Sequence, residues 1–344
     1  MKILNISNNP DTSPDGKFSK TFWNNLIYPL SQKAEVLDIG KKDLLKFYSK
    51  YLKFKPDIII STWIPAGFIP VFFKKIGLIK CPVVHRWEDY YSESMTSYPK
   101  WIVDFMEKYT AKNADYVITI LKTLQERAKE MGTETFLLPY GITAGNKKTK
   151  INLDSFKTKK SNLKVIYLGE INLPYKRVDK IIEAAREVDC DLFLFGEEPK
   201  EEYKSLMKGH NNIHYMGWVD QEEVASLLKQ GDILVNTANH DISMKFLDYI
   251  NARKPILALN DRPSKTFKHK ETAFLTSDFK QGLIELIKDD QLRKKIEKNM
   301  KSLKIYSWEE VADIHLALYE KIIAGEKNLG KFENSYYHSN CRNE

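Results

Sequence analysis

Short apolar runs alternate with stretches of helix length from one end of this chain to the other. In the first half the runs are KILNIS (2–7), AEVLDI (34–39), PDIIIST (56–62), CPVVH (81–85), DYVITI (115–120) and TFLLP (135–139), with helical stretches such as 17–32, 65–77 and 99–112 between them. Unbroken apolar runs of this length suit strands buried on both faces, so the pattern predicts a parallel sheet covered by helices. Residues 143–162 break the alternation. They are polar, lysine-rich and without apolar period, and they read as a linker. The alternation then resumes with KVIYLG (164–169), DLFLFG (191–196), NIHYMG (212–217), DILVNT (232–237), PILAL (255–259) and TAFLT (272–276). Val178, Ile181, Ile182 and Ala185 share one face of a helix over 177–188, a second helix is predicted over 221–229, and a third starts at Ser243 and Met244 and breaks at Lys254-Pro255. The pattern predicts two Rossmann-like α/β domains, 1–142 and 163–306, facing a central cleft. A last amphipathic helix over 307–324 begins with the capping-box residues Ser307 and Glu310 and places Trp308, Val311, Leu318 and Ile322 on one side. The tail 325–344 is polar and is expected to fray.

Composition narrows the picture. The chain has 344 residues, 42% of them apolar, which is enough for two cores. Cys81, Cys190 and Cys341 form neither a disulfide framework nor a metal-ligand spacing, which points to a reducing, cytoplasmic setting. The first residues carry no apolar signal-peptide core, and no stretch reaches the roughly 20 apolar residues that span a bilayer. The net charge of +8 suits an anionic substrate or surface, or simply reflects many lysines. No zinc finger, aromatic RNA-binding signature or basic arm is present, so nucleic acid is not expected as a partner.

In doubly wound folds, ligands bind where strands end, so the residues that follow strands are the candidates. Gly169 ends one strand and leads to Lys176 and Arg177 at a helix start, where cations and helix amides suit phosphate oxygens. The alternative is a pair of solvated bases. After DILVNT, Ser243 and Met244 open a helix whose first amides lack intrahelical partners. Asp248 lies about one and a half turns on, placed either to accept hydroxyls or to be a buried helix residue. His240 precedes the helix and could touch a sugar or be structural.

Several of these segments resemble one family. "MKFLDYINARKPILAL" is similar to the K-L-F-E-Y-M-A-A-G-K-P-I-V-A run of the large retaining family of GT-B glycosyltransferases (group 1, family 4-like), and "YSWEEVA" to its F-S-W-E-x-V-A helix start. Gly169, Lys176, the Gly217-Trp218-Val219 turn, the pair His240 and Asp248, and Lys254-Pro255 occupy its donor-site positions, and "ADYVIT" and "PYGI" extend the likeness over 114–324. The resemblance implies a transferase that moves a sugar from a nucleotide diphosphate donor, such as a UDP- or GDP-sugar, to a hydroxyl of a glycan, lipid-linked or protein-linked acceptor. It further implies retention of configuration, no bound metal, no other cofactor, and a final helix that crosses back to the first domain. Three departures stand out. Glu170 replaces the family's arginine, with Arg177 as the substitute cation. His240 replaces its first glutamate, and Asp248 its second.

In the first domain, "CPVVHRWEDYYSES" resembles the family's V-V-Y-D-V-H-D-L-W-P-E run. Either Asp89 with Glu88, or His85 at the strand end, then lines the acceptor side; local capping is the competing reading. Asn8, Asn9 and Gly16 stand where the family carries a glycine pair. Asp189-Cys190-Asp191 has a metal-binding D-x-D form, but it precedes its strand. His315 reads as surface or interdomain packing. The stretch 67–80 reads either as a core helix with a solvated face or as a surface that presses on an anionic membrane. Two rivals keep the fold but change the activity: a sugar-nucleotide epimerase, and a degenerate nucleotide-sugar-binding subunit.

Overall fold

In the computed structural model every predicted apolar run carries a strand. The structure describes residues 1–7, 26–95, 97–142, 145, 147–159, 162–240, 243–326 and 329. In chain order the first half comprises β1 (Lys2–Ile6), α1 (Ile27–Ser31), β2 (Glu35–Ile39), α2 (Phe47–Phe54), β3 (Ile58–Thr62), α3 (Phe68–Lys75), β4 (Val83–Trp87), α4 (Tyr91–Ser94), α5 (Lys100–Asn113), β5 (Tyr116–Thr119), α6 (Lys122–Glu130), β6 (Thr135–Leu137) and β7 (Gly141–Ile142). The second half comprises β8 (Leu163–Leu168), α7 (Val178–Ala185), β9 (Cys190–Phe195), α8 (Glu201–Met207), β10 (Ile213–Gly217), α9 (Gln221–Leu228), β11 (Ile233–Asn236), α10 (Met244–Ala252), β12 (Ile256–Leu259), β13 (Phe274–Thr276), α11 (Phe279–Lys288), α12 (Asp290–Met300), β14 (Tyr306–Ser307) and α13 (Trp308–Ile323).

The chain divides into two units. Unit 1 is Met1–Gly141 together with the chain from Tyr306 through α13; unit 2 is Ile142–Ile305. Each holds a six-stranded sheet, ordered β2-β1-β3-β4-β5-β6 in unit 1 and β10-β9-β8-β11-β12-β13 in unit 2. All the strand pairs of both sheets are parallel. β3 and β4 are buried at every residue, as strands covered on both faces must be. In unit 1, Leu4, Ile6, Ile39, Ile59, Val71 and Val83 pack around Phe47, which meets Phe73 edge-on at 5.6 Å. Each such side chain contributes about 1.5–3 kcal/mol on leaving water.

The final helix belongs to unit 1, as the resemblance implies. Its capping box forms: the Glu310 amide donates to Ser307 Oγ at 3.2 Å and the Ser307 amide to Glu310 Oε2 at 2.8 Å. Trp308 lies over Gly141, where a Cβ would come within 2.6 Å of the indole, so that position admits only glycine. Val311, Ala312, Leu318, Tyr319 and Ile322 are buried, and α13 packs on α1. His315 is likewise buried, with Nδ1 donating to the Val311 carbonyl at 2.8 Å, rather than at a surface. Burial holds its pKa down to about 3, so the ring is neutral.

The described part of 143–162 is fastened to unit 2 rather than strung freely. The Thr149 amide donates to Ser226 Oγ, the Leu153 amide to Gln230 Oε1, and Gln230 Nε2 to the Ile151 carbonyl. Side chains of α9 and of the turn after it supply the partners that a ladder would otherwise provide, so these residues are ordered without apolar period. Asn8, Asn9, Gly16, the first half of 17–32 and the tail beyond Glu326, apart from Leu329, lie outside the described residues.

Candidate functional site

The sheet of unit 2 reverses its winding between β8 and β11, which are neighbours although β9 and β10 intervene in sequence. Chain leaving the two strands therefore diverges above their carboxyl ends and leaves a crevice there. Two loops rim it, 169–177 after β8 and, in its described part, 237–240 after β11.

The first loop is fixed from below. The Gly169 amide donates to the Phe195 carbonyl at 2.9 Å. Gly196, at the end of β9, has its α-carbon against Gly169: a Cβ there would stand 2.1 Å from the Gly169 oxygen. Glu197 Oε1 accepts from the amides of Ile171 and Asn172, both at 2.8 Å, which are charge-assisted bonds. Pro174–Lys176 then form one 3-10 turn, and Arg177, at φ 54°, closes that turn and opens α7.

The two loops are latched together. Thr237 Oγ1 donates to the Lys176 carbonyl, and the Tyr175 and His240 rings meet edge-on at 6.2 Å. Lys176 Nζ lies 3.8 Å from the Glu170 carboxylate and 5.0 Å from the Tyr175 ring centre. Glu170, which stands where a cation was expected, is thus the counter-ion that positions Lys176.

Ser243 caps α10, its Oγ accepting from the Phe246 amide at 3.3 Å and from Asn236 Nδ2 at 3.5 Å. Met244 is the first helical residue. About one and a half turns on, Tyr249 ties α10 to the two strands: its hydroxyl donates to the Val235 carbonyl of β11 and accepts from the Leu168 amide of β8, both at 3.1 Å. Asp248 is only 9% exposed. Burial pushes its pKa up to about 6, against the pull of Lys245, whose Nζ is 3.7 Å away, and of the Gln221 side chain. Val219 is half-buried in the Gly217–Val219 turn that leads to Gln221 at the start of α9. Asp241 lies outside the described residues.

The contacts between the two loops thus bring Lys176 and His240 to the same carboxyl-end region as Gly169 and the Ser243 cap, while Asp248 lies further along α10 against Lys245 and Gln221. Sequence reasoning missed Glu197, Thr237, Tyr175 and Tyr249. The first two follow strand ends, so the filter that selected Lys176 could have found them.

Unit 1 differs from expectation. β4 runs on to Trp87, so His85 lies mid-strand and not at a strand end. It is 0% exposed, and its Nδ1 lies 2.9 Å from Ser61 Oγ and 3.0 Å from the Ser61 carbonyl. Burial lowers its pKa to about 4, so the ring is neutral. Asp89 is half-buried and accepts locally, from the Tyr90 amide at 2.8 Å. Glu88 instead bonds the buried Arg86 guanidinium. Burial works against the Arg86 charge, and Glu88 together with Tyr319, Tyr140 and Tyr91 more than restores it; burial raises the Glu88 carboxyl against the pull of Arg86. Tyr91 donates to the Arg86 carbonyl at 3.2 Å, and Tyr319 and His315 of α13 act electrostatically on Arg86.

The D-x-D residues are committed elsewhere. Asp191 accepts from the Thr158 amide and hydroxyl at 3.0 and 2.9 Å and lies 3.2 Å from His214 Nε2, and Asp189 pairs with Lys159 at 2.7 Å. Among the described residues, no three His, Cys, Asp or Glu side chains cluster as metal ligands.

Residues 162–289 match the family model described as Glycosyl transferases group 1. An uncharacterized glycosyltransferase of Methanocaldococcus jannaschii is 23% identical over 230 residues, a match spanning 62% of this chain and 62% of that protein. Sucrose-phosphate synthase from Thermosynechococcus elongatus superposes with a TM-score of 0.72 at 15% identity, over 94% of this chain and 100% of its own. The Anabaena protein HepE, solved in complex with UDP, gives 0.70 at 13% identity, over 93% and 99%. These likenesses show the two-domain GT-B fold, and the residues of unit 2 that match are similar to the group 1 glycosyltransferases.

Proposed function

We propose that this chain moves a sugar from a nucleotide diphosphate sugar to a hydroxyl of a glycan, lipid-linked or protein-linked acceptor, with retention of configuration and without a metal ion. The observation that carries the reading is the latched pair of loops at the switch point of unit 2, which brings Lys176 and the capped start of α10 to one crevice. HepE, which shares the fold, was solved with UDP-glucose as well as UDP, which supports a nucleotide sugar as the donor class.

Lys176, with Arg177 beside it, meets the diphosphate, together with amides of the first turn of α10 at Ser243 and Met244. All supply positive potential where negative charge develops as the glycosidic bond breaks. Glu170 holds Lys176 in place before the donor arrives. Asp248 accepts from the ribose hydroxyls through its exposed edge, Gly169 lets the backbone approach, Val219 borders the base, and His240 faces the sugar. The leaving phosphate takes the acceptor proton, so no protein base is required. Unit 1 provides the acceptor side, with Asp89 nearest the role given to it by resemblance.

Calorimetry with UDP, GDP and ADP tests the donor site. Lys176→Ala is expected to weaken nucleotide binding by roughly ten- to a hundred-fold, the worth of a charge-assisted hydrogen bond, and Lys176→Arg to weaken it less. Transfer is expected to persist in EDTA. Equal nucleotide affinity in wild type and Lys176→Ala removes Lys176 from the site; loss of transfer in EDTA, restored by manganese, overturns the metal-free scheme.

A further inference from the structure

Among the described residues no helix is long and apolar enough to cross a membrane, yet unit 1 carries an aromatic ridge in the open. α3 packs on α5, and Phe68 joins them, its ring 6.0 Å from Phe72, 6.4 Å from Phe105 and 5.1 Å from Tyr109. From that seam the ridge runs outward both ways. Phe72 and Ile76, four apart on the α3 side, are 41% and 52% exposed; Phe105 and Trp101, four apart on α5, are 58% and 74% exposed. The inner face of α3, with Pro70 and Val71, is in the core. The core-helix reading of 67–80 therefore holds for the inner face, while the outer face leaves Phe72 in the open. Scattered apolar residues need no explanation, but a contiguous aromatic ridge does.

Lysines border it. Lys75 lies one turn from Phe72, Lys112 two turns from Phe105, Lys100 precedes Trp101 and Lys80 follows the exposed Leu78; all four are exposed, and their side chains form no ion pair among the described residues. The nearby carboxylates are taken: Asp104 pairs with Lys108 and Arg127, and Asp115 with Lys74. The ridge is thus apolar at its centre and positive at its edge.

We propose that the α3–α5 ridge docks unit 1 on an anionic lipid bilayer. Trp101, Phe105, Phe72 and Ile76 enter the headgroup–acyl boundary, where amphipathic rings are at home, and Lys75, Lys80, Lys100 and Lys112 meet lipid phosphates. The charge at the rim selects this occupant over a second copy of the chain, whose own lysine rim would oppose it.

Flotation of the full chain with vesicles tests the idea. Binding is expected to equimolar phosphatidylcholine and phosphatidylglycerol, to weaken in high salt, and to be slight on phosphatidylcholine alone. The double variant Trp101→Ser with Phe105→Ser is expected to lose about tenfold or more in partitioning, with an unchanged unfolding midpoint, because both rings are exposed. The proposal is overturned by no binding to the mixed vesicles, by equal binding to both vesicle types, or by equal binding by the double variant. Self-association of the wild type that the double variant abolishes overturns it in favour of a second copy. Partitioning needs neither donor nor turnover, so its failure leaves the transferase reading standing.

Discussion

The two units share one architecture yet treat the ends of their central strands in opposite ways. In unit 2 the loops after β8 and β11 bind each other at the rim and leave a polar crevice, with Lys176 held at its edge by Glu170. In unit 1 the end of β4 is sealed. Arg86 and Glu88 pair under cover, and α13, from the far end of the sequence, brings Tyr319 and His315 against them. The same sheet thus serves in one case to present charge and in the other to bury it. A buried ion pair gives little net stability but makes the loss of one partner costly, whereas Lys176, half-buried at a rim, can change at smaller cost.

The largest expected break comes from ending the chain before Ser307. Unit 1 would lose Trp308, Leu318 and Tyr319, each worth about 3–5 kcal/mol for the larger aromatics, which together approach the whole margin of a domain. Calorimetry should show one cooperative transition missing and the other kept. Two intact transitions would mean that α13 is an appendage.

Arg86→Met comes next. Stranding the Glu88 carboxylate should cost about 3–5 kcal/mol in urea unfolding, while Arg86→Met with Glu88→Leu should recover most of that loss. A double variant no better than the single would show that the pair does more than neutralise itself.

Asp248 sharpens the contrast from the other side, as a buried acid of α10. Its folded pKa of about 6 is raised above the ordinary 3.8. The folded state therefore holds this proton more tightly, and the contribution is fully present below about 4 and lost as pH rises through 6. The ceiling is roughly 3 kcal/mol. Asp248→Asn should flatten the stability of unit 2 between these limits, and an unchanged slope would place the source elsewhere.

Strands were legible because a parallel sheet covered on both faces demands unbroken apolar runs, and each run in this chain is one. The short helices α2, α8, α11 and α12 were not singled out, although Asp278 and Asp289 cap the last two, accepting from the amides of Gln281 and Leu292. Of the crevice, Lys176, Ser243 and Asp248 were legible from position after a strand and from resemblance. Tyr249 was not, because it acts through a backbone amide and a carbonyl that only the fold brings near. His85 misled because strand ends blur in sequence: two further residues, Arg86 and Trp87, continue β4 and take the imidazole inside.

Gly141 under Trp308 carries a consequence in time. The chain leaves unit 1 there and returns only at Tyr306, so unit 2 is written into the gene as a long parenthesis within unit 1. A ribosome adding about 5–20 residues per second completes unit 2 while the cover of Arg86 is still unmade. The half begun first is finished last, and until then a buried charge pair, a strand end and the seat of an indole wait exposed to chaperones and proteases alike.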